Sequence, residues 1–299
     1  MYRTALVGIA VALGCGLCVL RFAEAHAPSP LQKREITIGE GRDWLLIDVN
    51  TRQFQRVDLP NKVRPLDLIL SHDTKRVVFT QSMPGQPNQA RLFVWDRDRR
   101  SPARQIGEDR GYYADPAFSN DDVWIYFAHN TLGLGTPLNH TNHAYAQMYR
   151  IHPDGTGFQQ LTDEKGCHFA PTFNAAHALV YVHAACVNPE RSIEVRESAS
   201  GSTPKRLITT LKTIDELRLA PDGKSAILSA TGNDTICIDR VNLETGQFTK
   251  LVEFRRSSMR ARPTFGHDES EVFYLRDHAV WVFHNNKSSK LYSLNEGKS

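Results

Sequence analysis

The sequence predicts an all-β protein, a six-bladed β-propeller of four-stranded antiparallel blades in which the first blade is short. A strand-closing motif recurs at Leu70, Phe118, Phe173, Leu219 and Phe265, with spacings of 48, 55, 46 and 46 residues. Each repeat contains short apolar runs separated by turn residues, and none of these runs has a helical period. A regular repeat of this length indicates an array of units that cannot bury their apolar faces alone.

The chain begins with a segment typical of a secretory signal, Met1 to about Ala27. Arg3 supplies the positive end, Ala5 to Leu20 form an apolar run, and a small-x-small cleavage motif ends the segment. We therefore expect a signal peptide over 1–27 and a single propeller domain over 28–299, located in the periplasm or outside the cell. An uncleaved membrane anchor is the alternative, although the apolar run is short for a membrane-spanning helix.

The first unit of the mature chain has three strand-like runs, Glu35 to Ile38, Trp44 to Val49 and Phe54 to Val57. An open ring of blades would leave unpaired strand edges, so the ring has to close. We expect a strand borrowed across the ends of the chain to close it. Either Lys290 to Leu294 or the segment near Leu31 could supply that strand.

Five full repeats follow, and the stretch from Asp115 to Thr162 shows their common order of strand, turn, strand, link, strand, turn and strand. The second strands are predicted at Val77 to Thr80, Val123 to Ala128, Leu179 to Val182, Ala226 to Leu228 and Val272 to Leu275. The third strands are predicted at Leu92 to Trp95, Met148 to Ile151, Ile193 to Val195, Ile236 to Ile238 and Val280 to Phe283.

Several short motifs resemble the repeat of TolB-type β-propellers. They are Pro116-Ala117-Phe118-Ser119, Pro171-Thr172-Phe173, Ala220-Pro221-Asp222-Gly223, His152-Pro153-Asp154-Gly155 and the closing Leu161-Thr162. The resemblance covers nearly all of the mature chain and implies the propeller architecture. For function it is less specific, because the same repeat carries binding proteins, peptidase gates and polysaccharide lyases. We expect no counterpart of the α/β domain that precedes the propeller in TolB.

Charge and composition narrow the range of partners. The formal net charge is +3 over 299 residues, so no strong basic field is present and we expect no nucleic-acid partner. We expect a monomer that does not stay inserted in a membrane after signal cleavage. The expected partner is an envelope protein or peptide, with an acidic small ligand as a further option.

Loss of the signal removes two of the five cysteines and leaves Cys167, Cys186 and Cys237. Cys167 lies on the link that enters the Pro171 blade, and Cys186 lies on the link between the second and third strands of that blade. Alternate turns of an antiparallel sheet emerge at the same edge, so we predict a Cys167–Cys186 disulfide in this exported protein. Three thiols packed as small apolar groups are the alternative.

The same edge rule divides the connections between two faces of the propeller. One face receives the links into the first strands and the links between second and third strands, and we call it the loop face. The other, the turn face, carries short Asp/Gly turns that look chemically uniform. Long loops on a rigid scaffold carry recognition, so we predict a binding rim on the loop face, formed by Arg64, Tyr112, Tyr113, His168, Asp215, Arg260 and Arg262.

The arginines of this rim could bind a carboxylate or an acidic peptide through paired N–H donors. The alternative is that the charges line a channel and neutralise one another with Asp115 or Asp215.

Histidines on the same face suggest a possible metal site. They are His129, His140, His143, His168 and His183, and converging imidazoles could bind zinc or manganese. Their spacing is not a recognised zinc signature, and hydrogen-bonding roles are the alternative. We expect no cofactor, with a divalent metal as the alternative.

Two function classes remain. The chain lacks a Gly-x-Ser-x-Gly elbow, which excludes a propeller peptidase with its own catalytic domain. The first class is a non-enzymatic recognition module of the cell envelope. The second is a metal-dependent lyase or related enzyme acting on an acidic saccharide, which a resemblance to oligogalacturonate lyases implies. In that case Arg64 or Arg262 would neutralise a uronate carboxylate.

Overall fold

The structure is a computed structural model. It describes residues 35–60, 63–98, 101–131, 146–174, 177–185, 190–196, 203–210, 213–220, 222–232, 234–256, 260–266 and 268–294. The predicted signal segment, the segment near Leu31, His140, His143 and Cys186 lie outside these ranges. Within them, no helix is long and apolar enough to cross a membrane.

The described residues form six antiparallel sheets, one for each blade, which confirms the predicted fold class. Blade 1 contains β1 (Glu35–Glu40), β2 (Asp43–Asp48) and β3 (Phe54–Arg56). Blade 2 contains β4 (Asp67–Leu70), β5 (Arg76–Met83), β6 (Gln86–Asp96) and β7 (Arg104–Ile106), and blade 3 contains β8 (Tyr112–Phe118), β9 (Ile125–Asn130), β10 (Ala146–Ile151) and β11 (Gln159–Gln160).

The last three blades follow the same order. Blade 4 contains β12 (Cys167–Phe173), β13 (Leu179–Ala184), β14 (Arg191–Arg196) and β15 (Lys205–Thr210). Blade 5 contains β16 (Glu216–Leu219), β17 (Ser225–Thr231), β18 (Thr235–Asn242) and β19 (Phe248–Arg255). Blade 6 contains β20 (Thr264–Phe265), β21 (Val272–Arg276), β22 (Ala279–His284) and β23 (Lys287–Ser293).

Short polar side chains build the turns between these strands. In the turn after β18, the Asn242 side chain accepts hydrogen bonds at 2.9 Å from the backbone amides of Glu244 and Thr245. In blade 1, the Asp48 carboxylate accepts hydrogen bonds at 3.0 Å from the two amides at the same positions, those of Asn50 and Thr51. An Asn or Asp that bonds to the amides ahead of it stabilises a tight turn. The β2–β3 turn of blade 1 therefore matches the third-to-fourth-strand turn of blade 5.

The three strands of blade 1 accordingly correspond to the second, third and fourth strands of a full blade. The direction of β1 agrees with this, because Glu35 pairs with Arg97 (3.4 Å) on the turn face and Glu40 pairs with His278 (2.8 Å) on the loop face. β1 also lies beside β4 of blade 2, where the Thr37 hydroxyl donates to the Leu68 carbonyl at 3.1 Å. Among the described strands, no inner first strand precedes β1 in this sheet.

The predicted way of closing the ring is not found in the described part of the chain. The predicted Lys290 to Leu294 strand lies largely in β23, which pairs with β22 and completes its own blade. Blades 1 and 6 instead meet through a shared apolar core. Its buried members are Ile36, Ile38, Leu45, Ile47 and Val49 of blade 1 and Phe273, Leu275, Val280, Val282 and Leu294 of blade 6. Face-to-face packing of two sheets therefore closes the ring.

The inner strands of blades 3 and 4 carry a bulge at a residue that precedes proline. Pairing shifts between Ala114 and Ala117 in blade 3, and Asp115 has φ of 49°. In blade 4, Ala170 has φ of 52° at the equivalent shift. Arg262, which precedes proline in blade 6, has φ of 45°. Proline cannot donate to a strand ladder, so the bulge accommodates it and redirects the preceding residue.

We expect Ile38→Ala to lower the free energy of unfolding by about 2–5 kcal/mol. The Ile38 side chain is fully buried in the core that joins blades 1 and 6, and its truncation leaves a cavity at the ring closure. Urea unfolding measures the loss. Val123→Ala is the control, because Val123 is 46% exposed and this change should stay within about 0.5 kcal/mol. Equal losses for the two variants would contradict the proposed closure.

Candidate functional site at the propeller axis

Charged side chains from four blades meet at the propeller axis. We call them the axial charge cluster: Asp67, Asp115, Glu216, Arg260 and Arg262. Two of them, Arg260 and Arg262, belong to the predicted rim. Asp115 is the partner that the alternative interpretation of the rim names for neutralising these charges. The predicted rim did not include Asp67 and Glu216.

A regular position in the repeats could have identified the missing carboxylates. Asp67, Asp115, Glu216 and Arg262 each lie three residues before the residue that closes the first strand. Equivalent positions in neighbouring blades meet at the axis, so charges that recur there along the sequence are expected to be neighbours in space.

The guanidinium groups of blade 6 bridge carboxylates of other blades. Arg260 Nη1 lies 3.1 Å from Asp67 Oδ1 and 3.5 Å from Asp115 Oδ1. Arg262 Nη1 lies 3.0 Å from Asp67 Oδ1 and 3.9 Å from Glu216 Oε1. The backbone amide of Arg262 also donates to Glu216 Oε2 at 2.7 Å. Blades 2, 3, 5 and 6 are thus joined by ion pairs.

The two aspartates of the cluster have opposite pKa shifts. Burial alone would raise the pKa of Asp67, but the charges of Arg260 and Arg262 outweigh it and lower that pKa to about 2. Burial and the nearby charge of Asp67 raise the pKa of Asp115 to about 6, because Arg260 offsets only part of their effect. Asp67 is therefore the firm anion of the cluster, and Asp115 titrates just below neutral pH.

Tyr112, another residue of the predicted rim, lies near Asp67 and Arg260 of the cluster. Its side chain is buried, and burial together with the charge of Asp67 raises its pKa to about 12. It therefore stays a neutral phenol next to the buried charges.

The other rim residues have contacts or exposure of their own. Tyr113 is buried in the core between blades 2 and 3, and its hydroxyl accepts a hydrogen bond at 2.7 Å from the Glu108 amide. The Asp215 carboxylate accepts a hydrogen bond from the Thr231 hydroxyl. Arg64 is exposed on the loop face. The predicted binding rim as a whole remains a prediction.

His129 lies in the core of blade 3. Its ring stacks on Tyr113 with centroids 4.2 Å apart, and its Nε2 lies 3.2 Å from the Arg110 carbonyl oxygen. Burial lowers the pKa of His129 to about 4, so the imidazole is neutral at physiological pH. Nε2 is directed toward the backbone of the preceding link.

His168 and His183 form the equivalent pair in blade 4, with parallel rings and centroids 4.7 Å apart. His183 bonds to Glu194 Oε1 at 3.2 Å and to the Lys165 carbonyl at 3.1 Å. The hydrogen bond to Glu194 raises the pKa of His183. His168 is buried, and burial and the charge of His183 lower its pKa to about 4.

The described histidines of the predicted metal site lie on different blades. His129 belongs to one blade, His168 and His183 belong to the next, and His140 and His143 lie outside the described ranges. In the described ranges, no group of three His, Cys, Asp or Glu side chains is placed to hold a metal ion. The metal site remains a prediction.

The disulfide also remains a prediction, because Cys186 lies outside the described residues. Cys167 is buried on β12 and lies opposite Ala184 of β13. Ala184 precedes Cys186 by two residues in the sequence. The third cysteine, Cys237, lies on β18 of the next blade as expected.

Among the described hairpins of the loop face, the β5–β6 hairpin of blade 2 is the longest. The β5–β6 hairpin continues to the pair Met83 and Gln86, and residues 84–88 at its tip are exposed. The buried Arg91 anchors this hairpin to blade 3 by donating to the carbonyls of Gly111 (3.0 Å) and Asp109. Residues 132–145, between β9 and β10 in the sequence, lie outside the described ranges. We call the hairpin tip and Arg64 the loop sector.

Comparison with known proteins identifies the fold but not a family. No protein-family model matches this sequence, and curated proteins give no match. Among solved structures, TolB from Acinetobacter baumannii is similar, with a TM-score of 0.59 and 16% identity over 83% of this chain. The chain spans 59% of the length of that TolB.

Two further structures share the fold. An oligogalacturonate lyase in complex with manganese has a TM-score of 0.54 and 16% identity, over 83% of this chain and 73% of the lyase. A chain of the nidogen/laminin complex has a TM-score of 0.63 and 10% identity, over 86% of this chain and 93% of that chain. At these identities the likeness confirms the TolB-type propeller fold and leaves the function open.

We expect Asp115→Asn to stabilise the protein relative to wild type increasingly as the pH rises from about 4 to 7. An acid whose pKa is raised in the folded state loses stability as the pH rises through that pKa, whereas asparagine resembles the protonated form. The shift from 3.8 to about 6 corresponds to up to about 3 kcal/mol. Urea unfolding across this range measures it.

Asp58→Asn, at an exposed aspartate, is the control and should follow the wild-type curve. A difference between Asp115→Asn and wild type that does not change with pH would contradict the raised pKa of Asp115.

Proposed function

We propose that this chain is an exported, non-enzymatic recognition module that binds a protein or peptide of the cell envelope through its loop face. The observation that carries the proposal is the state of the axial charges. Arg260 and Arg262 are each held by buried carboxylates, so neither guanidinium is left unpaired for a partner. Recognition is then left to the loops above the axis.

The loop sector supports this assignment. Its hairpin projects past the blade with an exposed tip, yet Arg91 fixes its base to blade 3. Recognition by loops on a rigid scaffold requires less ordering on binding than recognition by a freely moving segment. The exposed Arg64 adds a positive charge suited to an acidic side chain of the partner.

The comparisons support a protein partner without identifying it. A propeller of similar shape occurs in the nidogen/laminin complex, which contains two proteins. TolB shares the fold as well. Export and an envelope location follow from the signal-like segment at the start of the sequence, and they are part of the proposal.

Site-specific photo-crosslinking in the cells that make the protein tests the binding face. A photoreactive residue at Asn88 of the hairpin tip, or at Arg64, should give a discrete adduct with one partner. The control is the same residue at Glu244, which is exposed in a turn of the turn face, and it should give none. Adducts from Glu244 alone, or equally from all three positions, would contradict the proposal.

The saccharide lyase is the second candidate, and the fold of the manganese-bound oligogalacturonate lyase favours it. The adjacent imidazoles of His168 and His183 are the described residues best placed to contribute to such a site. Metal analysis of the purified exported protein separates the two functions. We expect no stoichiometric manganese or zinc. About one equivalent of metal that is lost in His168→Gln would favour the lyase and count against the recognition module.

A further inference from the structure

A chamber opens on the turn face directly below the axial charge cluster. Its volume is about 420 Å³, within the range of roughly 300–1,000 Å³ typical of small-molecule sites. The inner strands of blades 2 to 5 and the turns that follow them form its wall. The sequence-based expectation that this face is chemically uniform therefore does not hold at the axis.

Two layers of side chains explain the chamber. The inner strands place the cluster in an upper layer, and the residue just before each strand-closing residue belongs to a lower layer: Ile69, Ala117, Thr172, Arg218 and Thr264. Side chains two apart on a regular strand lie on the same face, which relates Ile69 to Asp67 and Arg218 to Glu216. In four of these strands the lower-layer residue is uncharged, and Arg218 is the exception.

The wall of the chamber is largely apolar. It contains Leu70, Phe118, Phe173 and Leu219, with prolines and alanines between them. Polar groups lie at the mouth, where the Asn120 side chain donates to the Asn174 carbonyl at 3.0 Å. None of the described residues that line the chamber is an aspartate or a glutamate.

Two side chains of that lining can carry a positive charge, Arg218 and His72, and His72 is already paired with the Asp122 carboxylate at 2.8 Å. Arg218 Nη1 donates to the Leu217 carbonyl at 2.9 Å. Within the described ranges, no carboxylate lies within 4 Å of its guanidinium, although its positive charge reaches the Asp115 carboxyl and favours the ionised form of that group. By contrast, Arg260 and Arg262 in the layer above are engaged by carboxylates. Donors of Arg218 are thus left for an anion that enters from the turn face.

We propose that this chamber binds a small organic acid with an apolar body, whose carboxylate pairs with Arg218. A guanidinium in a partly desolvated pocket binds a carboxylate through charge-assisted hydrogen bonds, and the phenylalanine and leucine walls cover the apolar part of the ligand. The occupant is a small molecule because the chamber volume of about 420 Å³ has room for little more. This site is separate from the loop face and does not depend on the proposed function.

Hydrocinnamate is a suitable probe, and its uncharged amide is the matched control ligand. In isothermal titration calorimetry, the full chain should bind hydrocinnamate at least about tenfold more tightly than the amide, as expected for a hydrogen bond to a charged group. Arg218→Met should weaken hydrocinnamate binding by a similar factor, and Arg218→Lys should weaken it less. Arg256→Met, which removes an exposed arginine away from the chamber, should leave the affinity unchanged.

A second variant tests the chamber in case Arg218→Met fails to fold. Thr172→Leu keeps Arg218 and fills part of the chamber, so it should also weaken hydrocinnamate binding while the melting temperature stays close to wild type.

A short peptide with a free C-terminal phenylalanine, compared with its amidated form, tests a protein terminus as the occupant. Tighter binding of that peptide than of hydrocinnamate would overturn the small-molecule assignment. Failure of the wild-type chain to bind hydrocinnamate, or wild-type affinity in both Arg218→Met and Thr172→Leu, would overturn the site.

Discussion

The packing of each sheet against its neighbours is the constraint on which this structure depends. A single blade of short strands has two faces to cover, and only the next blade in the ring can cover them. The constraint is strictest where the ring closes, since the first and last blades have no covalent link. Ile38 and Leu45 pack there against Phe273 and Val280 in one buried core. Blade 1 can therefore be short and still take part in a closed ring.

The axis is held by a second interaction of a different kind. Arg262 pairs with Asp67 and Glu216, and its guanidinium lies 4.7 Å from the ring centroid of Trp44 in blade 1. One side chain of the last blade thus contacts three other blades. Buried charges are costly unless they are paired, and removal of one partner leaves the others uncompensated. The axial charge cluster therefore favours one arrangement of the inner strands, and Asp115 makes that arrangement sensitive to pH.

The cluster also separates the two faces. Above it, the loop sector presents a projecting hairpin on a fixed base, which suits a large partner. Below it, the chamber is small, apolar and positively charged at one point, which suits a small anion. The two faces differ because successive turns of an antiparallel blade emerge at opposite edges. Insertions accumulate on the loop face, whereas the Asp/Gly turns of the other face stay short and leave the axis open.

The sequence by itself determined the architecture, because the repeat length, the apolar runs and the turn residues are local signals that recur five times. It also placed Arg260 and Arg262 at the axis. Only the tertiary structure decided the pairing of the charges, since Asp67 and Arg262 are far apart in the chain and meet only when the ring closes. The tertiary structure also shows that Tyr113 and His168 are buried within the blades and do not line the axis. The inner strands of blades 3 and 4 begin at Tyr112 and Cys167, so Tyr113 and His168 lie within strands and not on the links before them. The axial position falls on the bulged residue before each proline, Asp115 or Ala170.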